Sequence, residues 1–366
     1  MFRFHKDILI TFILLVLISL LLFVNISLAQ PFSFSAPENI VYDPDTRILN
    51  FTTLTLEQKI AQMIIAYGKD SNKEHLQNMF IGGLFIETKP TPKEFVDSIQ
   101  KFQDNAVIPF FITTDLEGCR NPFENFQEFP PFSEISTIEE ANRLGTASGK
   151  LLDDLGFTMN FAPVVDLEDN IWGCRAFPGT PEEIAQKSKA YIEGLQGRGI
   201  IGVAKHYPGK TLVEDSHINI AKSTIRDADL LPFYEAINSS VDGIMVSHVI
   251  AFGKVNSNNK PSIASPEVIT DLKNKFNGLV ITDEIGMLGY VDNYKINSTF
   301  TDYHQLFVDL FKAGNDLILT FDTEPSRLYQ MIETIAIAVR KGELQEYSID
   351  NSVKKILAAK GIKIVD

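Results

Sequence analysis

Five stretches of this chain place reactive or charged side chains just where an apolar run stops. The run over 108–113 leads into Asp115-Leu116-Glu117-Gly118. The run over 157–161 is followed by Pro163, Asp166 and then Arg175. The run over 200–204 ends at Lys205-His206, that over 243–246 at Ser247-His248, and that over 278–281 at Thr282-Asp283-Glu284. A further histidine, His217, follows Glu214-Asp215-Ser216. Two chemistries suit this set. Glycoside hydrolysis needs a carboxylate nucleophile, an acid/base group and hydrogen bonds to sugar hydroxyls. Asp283 fits the nucleophile. Asp215, two residues before His217, can fix that imidazole's tautomer and stabilise its charged form, so that His217 can give a proton and later take one. Metal-assisted hydrolysis would instead use His206, His248, Asp283 and His217 as ligands.

Such residues need a frame. Apolar runs at 81–86, 108–113, 157–161, 200–204, 243–249, 278–282 and 316–320 alternate with helical patterns such as 92–105, 138–155, 181–198, 265–275, 302–313 and 325–341. Strands apolar throughout, each followed by a helix, mean a parallel sheet covered by helices. Seven such strands favour an α/β fold of the TIM-like (β/α)8 type in a single domain, and no dinucleotide fingerprint follows the first strand. A further helix starts at Thr55, which can cap it, with Ile60, Met63 and Ile64 on one face. In a barrel, polar residues at the ends of strands tend to serve function. One such Asp is more often a helix cap than a catalyst. Five strands ending in Asp, Arg, Lys-His, His and Asp are hard to explain as capping. The bland readings remain specific: Glu117 bracing backbone amides, Arg175 pairing with Asp166 or Glu117, His248 a satisfied core residue, and Trp172 an anchor of a surface loop. Metal-dependent barrels commonly carry a His pair on the first strand. The segment IGGLFI at 81–86 has none, which puts the metal reading second. The segment AKHYPGKT at 204–211 loosely imitates a phosphate loop, but LVEDSHIN behind it has no helical period.

Composition narrows the partners. The 366 residues are 45% hydrophobic and 22% charged, which excludes a disordered or fibrous chain. With 33 basic against 47 acidic residues the net charge is -14, so nucleic acid is excluded as a partner and a neutral substrate fits best. Residues 8–23 carry no charge, Arg3 and Lys6 precede them, and Ser27-Leu28-Ala29 follows. That is the pattern of a secretory signal peptide over 1–29 cut after Ala29, the alternative being an uncleaved N-terminal anchor and hence membrane attachment. Either way the globular part is expected to be exported, to a periplasmic or extracellular place. Residues 30–52 read as a linker or arm, and 53–366 as the barrel. The two cysteines, Cys119 and Cys174, leave open one disulfide or two buried thiols.

With these residues in view, the chain resembles glycoside hydrolase family 3, in its exo-β-N-acetylglucosaminidase branch. The resemblance spans residues 55–319 and rests on LTLEQKIAQM, IGGLFI, TTDLEG, NFAPVVDL, RAFPGTPEEIA, AKHYPG, EDSH, PSIASPEVIT and GLVITDEIGM in order. AKHYPG followed by DSH is its most specific part. The resemblance implies a barrel and a retaining double displacement. It makes Asp283 the nucleophile, His217 the acid/base and Asp215 its orienting partner. Asp115, Arg175, Lys205 and His206 then bind the hydroxyls and N-acetyl group of the terminal sugar. No metal and no organic cofactor is implied, a monomer is expected, and the substrates are β-linked N-acetylglucosamine units of cell-wall or chitin-type glycans. The alternatives are a catalytically weakened sugar-binding or scaffold relative, and a β-glycosidase of different sugar specificity. The chain also departs from the family. Lys210-Thr211 replaces the usual His-Gly, with one residue fewer before Asp215. Phe123 stands where a second sugar-binding Arg is usual. Cys119 and Cys174 replace small or polar residues in two loops beside one pocket, and this placement predicts that they pair and stiffen the rim.

Overall fold

The computed structural model describes residues 38–214, 221–287 and 300–365. Residues from 36 on form one compact unit. Eight parallel strands make its centre: β1 (Ile64–Gly68), β2 (Gly83–Ile86), β3 (Phe111–Thr114), β4 (Met159–Asn160), β5 (Ile201–Tyr207), β6 (Gly243–Val246), β7 (Leu279–Thr282) and β8 (Ile318–Thr320). Neighbours in sequence are neighbours in the sheet, with Ile65 opposite Gly83 and Val203 opposite Gly243. β8 pairs with β1 at Ile318 and Ile64. A parallel bridge between Ile281 and Leu317 joins β7 to the start of β8, with the Thr282 amide donating to the Leu317 carbonyl at 2.9 Å. The sheet thus curls into a nearly closed barrel. Helices cover its outside, so both faces of the strands are buried: Ile64, Leu84, Ile112, Val203, Ile244 and Val280 show no exposed surface.

Eight strands replace the seven expected. The missing one, β1, lies inside the segment read as helix from Thr55. The helix there ends at Gln62, after a capping box between Thr55 and Gln58, and Ile64 opens the strand. One residue separates them, and apolar residues on both sides of the junction, Ile60 and Ala61 before it and Met63 to Ala66 after, hide the change of period. The helices Ile138–Leu155, Pro181–Gln196 and Pro325–Arg340 follow their sequence patterns closely. The first two pack closely because Gly145 has no side chain: a Cβ there would lie 2.1 Å from the Tyr191 carbonyl oxygen. The helix Asp227–Asn238 lies outside the named patterns, its period interrupted by Pro232.

Of the segment 30–52 read as a linker or arm, residues 38–52 are described. Tyr42–Asp43 pairs antiparallel with Ile48–Asn50, and Ile48–Asn50 pairs parallel with Lys363–Val365 near the chain's end. This small sheet sits beside a plug: the Lys360 ammonium is buried and donates to Gln62 Oε1 at 2.9 Å, just before β1. Among the described residues no helix is long and apolar enough to cross a membrane. The apolar stretch 8–23 and the whole of 1–29 lie outside the described residues.

Candidate active site

Four of the five strand ends expected to carry polar side chains deliver them to one cleft at the C-terminal mouth of the barrel; His248, after β6, does not line it. Asp115 comes from the end of β3, Arg175 from the loop after β4, Lys205 and His206 from β5 itself, and Asp283 from the end of β7, and all five line the cleft. Asp215 and His217, the expected orienting carboxylate and acid/base, lie outside the described residues. The loop that leads to them starts at Thr211, whose amide donates to Asp166 Oδ1 at 2.8 Å.

The floor is a network of buried charges. Lys205 Nζ lies 2.6 Å from Asp115 Oδ1 and 2.5 Å from Glu117 Oε1. Arg175 grips Glu117 with both Nε and Nη2, the latter at 2.9 Å from Oε1, a two-point guanidinium–carboxylate pair. Burial alone would raise the Glu117 pKa. The charges of Lys205 and Arg175 outweigh it and hold the carboxyl well below the usual carboxylate range. Burial likewise works against the Arg175 cation, but Glu117, Asp115 and Asp283 keep it firmly charged. Arg175 is therefore buried and bound to Glu117, one of its two expected structural partners. The other, Asp166, serves His206 instead: its Oδ2 lies 3.0 Å from His206 Nδ1. A carboxylate on one ring nitrogen fixes the orientation of the imidazole.

Asp283 is set for ionic chemistry. Its amide donates to the Val246 carbonyl at 2.9 Å, which ties the tip of β7 to β6, and the Glu284 amide donates to Asp283 Oδ1 at 2.8 Å. Burial opposes its ionisation. His206, His248 and Lys205, with the Glu284 amide, reverse the balance and lower its pKa below the ordinary Asp value. Next in sequence, Glu284 is shifted the opposite way: burial raises its pKa, although Oε1 accepts the Phe321 amide at 2.9 Å. Adjacent carboxyls pushed apart in this way can play different roles. His248 is buried and its Nε2 lies 2.9 Å from the Glu284 carbonyl oxygen, so it braces the backbone behind Asp283.

At the rim, Cys119 and Cys174 form a disulfide that ties the loop after β3 to the loop after β4. Asp169 shapes the second loop by accepting the amides of Trp172, Cys174 and Arg175 at 2.9, 3.0 and 2.8 Å. Arg120 and Arg175 both approach the Trp172 ring, with guanidinium carbons 5.0 and 4.7 Å from its centroid. Phe123, at the position of the absent Arg, does not face the cleft. It is fully buried, its ring 5.1 Å from that of Phe95 and 5.6 Å from that of Phe157. Among the described residues no group of three or more His, Cys, Asp or Glu is arranged to hold a metal ion.

Sequence reasoning missed Glu117 as part of the site, and missed Arg120, Glu284 and Phe321 in the cleft wall. A signal for Glu117 was present: it stands two residues after Asp115, the spacing that returns an extended chain to the same side.

The barrel agrees with comparisons to known proteins. The profile described as "Glycosyl hydrolase family 3 N terminal domain" matches residues 55–359, and the chain belongs to that family. A beta-hexosaminidase of Idiomarina loihiensis is 30% identical over 270 residues, covering 68% of this chain and 78% of that protein. Among solved structures, a glycoside hydrolase family 3 beta-N-acetylglucosaminidase from Paenibacillus sp. superposes with a TM-score of 0.74 at 27% identity, covering 84% of this chain but 62% of that one. A family 3 glycosyl hydrolase from Mycobacterium smegmatis gives 0.74 at 25% identity, covering 84% of this chain and 98% of that one.

Proposed function

We propose that the protein is a retaining exo-β-N-acetylglucosaminidase that removes terminal β-linked N-acetylglucosamine from cell-wall or chitin-type glycans. The observation that carries this reading is Asp283, a carboxylate held ionised in a barrel-mouth cleft that Lys205, Asp115, Arg175 and His206 also line. The names of the relatives support the same sugar. Asp283 attacks the anomeric carbon as the glycosidic bond breaks, and His217, steadied by Asp215, gives a proton to the leaving oxygen. The glycosyl ester on Asp283 is then opened by a water that His217 deprotonates. A neutral imidazole beside an ionised carboxylate avoids two like charges in one small site. Lys205 offers up to three donors and Asp115 accepts several hydrogen bonds, a match for a polyhydroxylated ring. Arg175 and His206 complete the grip.

The N-terminal pattern of 1–29 supports export of the catalytic unit, and residues 8–24 would hold it at a membrane if left uncleaved. The rim supports a substrate preference that differs from the usual family one, because Phe123 withdraws a cation and the disulfide fixes the neighbouring loops. The test is hydrolysis of an aryl β-N-acetylglucosaminide, an aryl β-glucoside and a muropeptide side by side. The N-acetylglucosaminide should be cleaved fastest. Sugar binding without hydrolysis of any of the three would select the scaffold alternative, and a preference for glucoside the other glycosidase.

A further inference from the structure

Glu117 is the most enclosed charge at the mouth of the barrel, yet it takes no part in the wall of the cleft. Its carboxylate has no exposed surface, while both cations it binds do line the cleft. One oxygen, Oε1, accepts from Lys205 Nζ at 2.5 Å and from Arg175 Nη2 at 2.9 Å, and Oε2 accepts Arg175 Nε. The backbone leaves this carboxylate little freedom. The Glu117 amide donates to the Arg120 carbonyl at 2.9 Å. Asn160 on β4 clasps Leu116, accepting its amide at 2.8 Å and donating to its carbonyl at 3.1 Å. Gly118 follows at φ +79°, and a Cβ there would lie 2.4 Å from the Pro130 carbonyl oxygen. An ion triad buried for stability alone has little reason to persist, since well-packed apolar groups often serve as well. This one ends on two cations that both line the cleft.

We propose that Glu117 is a positioning residue that locks Lys205, on β5, and Arg175, on the loop after β4, into one rigid donor array for the terminal sugar. The proposal rests on the reading that this cleft holds that sugar. Lys205 is flexible by nature and Arg175 stands on a loop; sharing one oxygen fixes their spacing before the ligand arrives. Pre-set donors bind without a further loss of side-chain freedom. The array grips the ring in ground state and transition state alike, so its loosening weakens binding more than chemistry.

The test is steady-state kinetics on an aryl β-N-acetylglucosaminide with Glu117→Gln and Glu117→Asp, alongside thermal melts. Glu117→Gln keeps the shape and removes the charge. It should raise KM by about tenfold or more, the scale of one charge-assisted hydrogen bond, with kcat within a few-fold of the wild type. Glu117→Asp keeps the charge and should recover part of the loss. A folded Glu117→Gln protein with the wild-type KM overturns the proposal, as does a loss confined to kcat. Should Glu117→Gln fail to fold, Glu117→Asp decides: a raised KM supports the proposal and a wild-type KM overturns it. A wild type that leaves this substrate intact sinks the functional reading instead, so the two failures are separable.

Discussion

Removing the rim disulfide should change both stability and substrate grip. The bond joins positions 55 residues apart. In the chain-entropy picture, opening a loop of that size returns about 14 cal/mol/K to the unfolded chain, or about 4 kcal/mol at 25 °C. With a urea slope of about 3 kcal/mol/M, the unfolding midpoint of the Cys119→Ser, Cys174→Ser protein should fall by about 1 M. The kinetic effect follows from position. Cys174 immediately precedes Arg175, and Cys119 lies two residues after Glu117, so freeing the bond loosens the Arg175–Glu117 pair proposed to set the sugar-binding donors. KM should rise by several-fold while kcat changes less. Urea unfolding followed by fluorescence, and initial rates on an aryl N-acetylglucosaminide, measure both. Dithiothreitol should reproduce the effects in the wild type and leave the double serine variant unmoved. A double variant with the wild-type midpoint and KM would refute the reasoning, because a constraint that moves neither constrains nothing.

Three further outcomes test other parts of the molecule. Burial pushes the Lys360 ammonium down to about 7 from 10.5. Between these values the unfolded chain binds a proton that the folded chain lacks, so stability gains up to about 1.4 kcal/mol per pH unit as pH rises and loses it as pH falls towards 7. Lys360→Met should flatten that slope in urea midpoints taken from pH 7 to 9.5, and parallel profiles for the two proteins would contradict it. Phe123→Ala should cost about 3–5 kcal/mol by opening a cavity among Phe95, Phe126 and Phe157. Phe123→Arg should unfold the protein or lower its melting temperature more steeply still, rather than restore a sugar contact, since it buries an unpaired charge. A stable Phe123→Arg protein with a lowered KM would show that this side chain reaches the cleft after all.

The barrel was legible because its strands are buried on both faces and so read as continuous apolar runs, with helices of clear period between them. β1 was lost because Ile60, Met63 and Ile64 share a helical face, so the strand that opens at Ile64 reads as a continuation of the helix before it. Asp115, Arg175, Lys205, His206 and Asp283 were legible because a barrel presents strand ends to a shared mouth. Their partners were not. Whether Arg175 turns to Asp166 or to Glu117 depends on loop paths that no spacing specifies, and Glu117 looked like a loop brace because its burial is a tertiary fact. Phe123 shows the converse. Its type marked a missing cation, while only the ring cluster around it reveals that the position has joined the core.

The central claim is that Asp283 carries the sugar covalently between the two halves of the reaction. Incubation with a fluorinated N-acetylglucosaminide whose second step is slow, followed by peptide mapping by mass spectrometry, tests it directly. A one-sugar adduct on the peptide bearing Asp283, absent after Asp283→Ala, is expected. An adduct on a different residue, or brisk turnover of ordinary substrate with no adduct and an inverted first product, would contradict it.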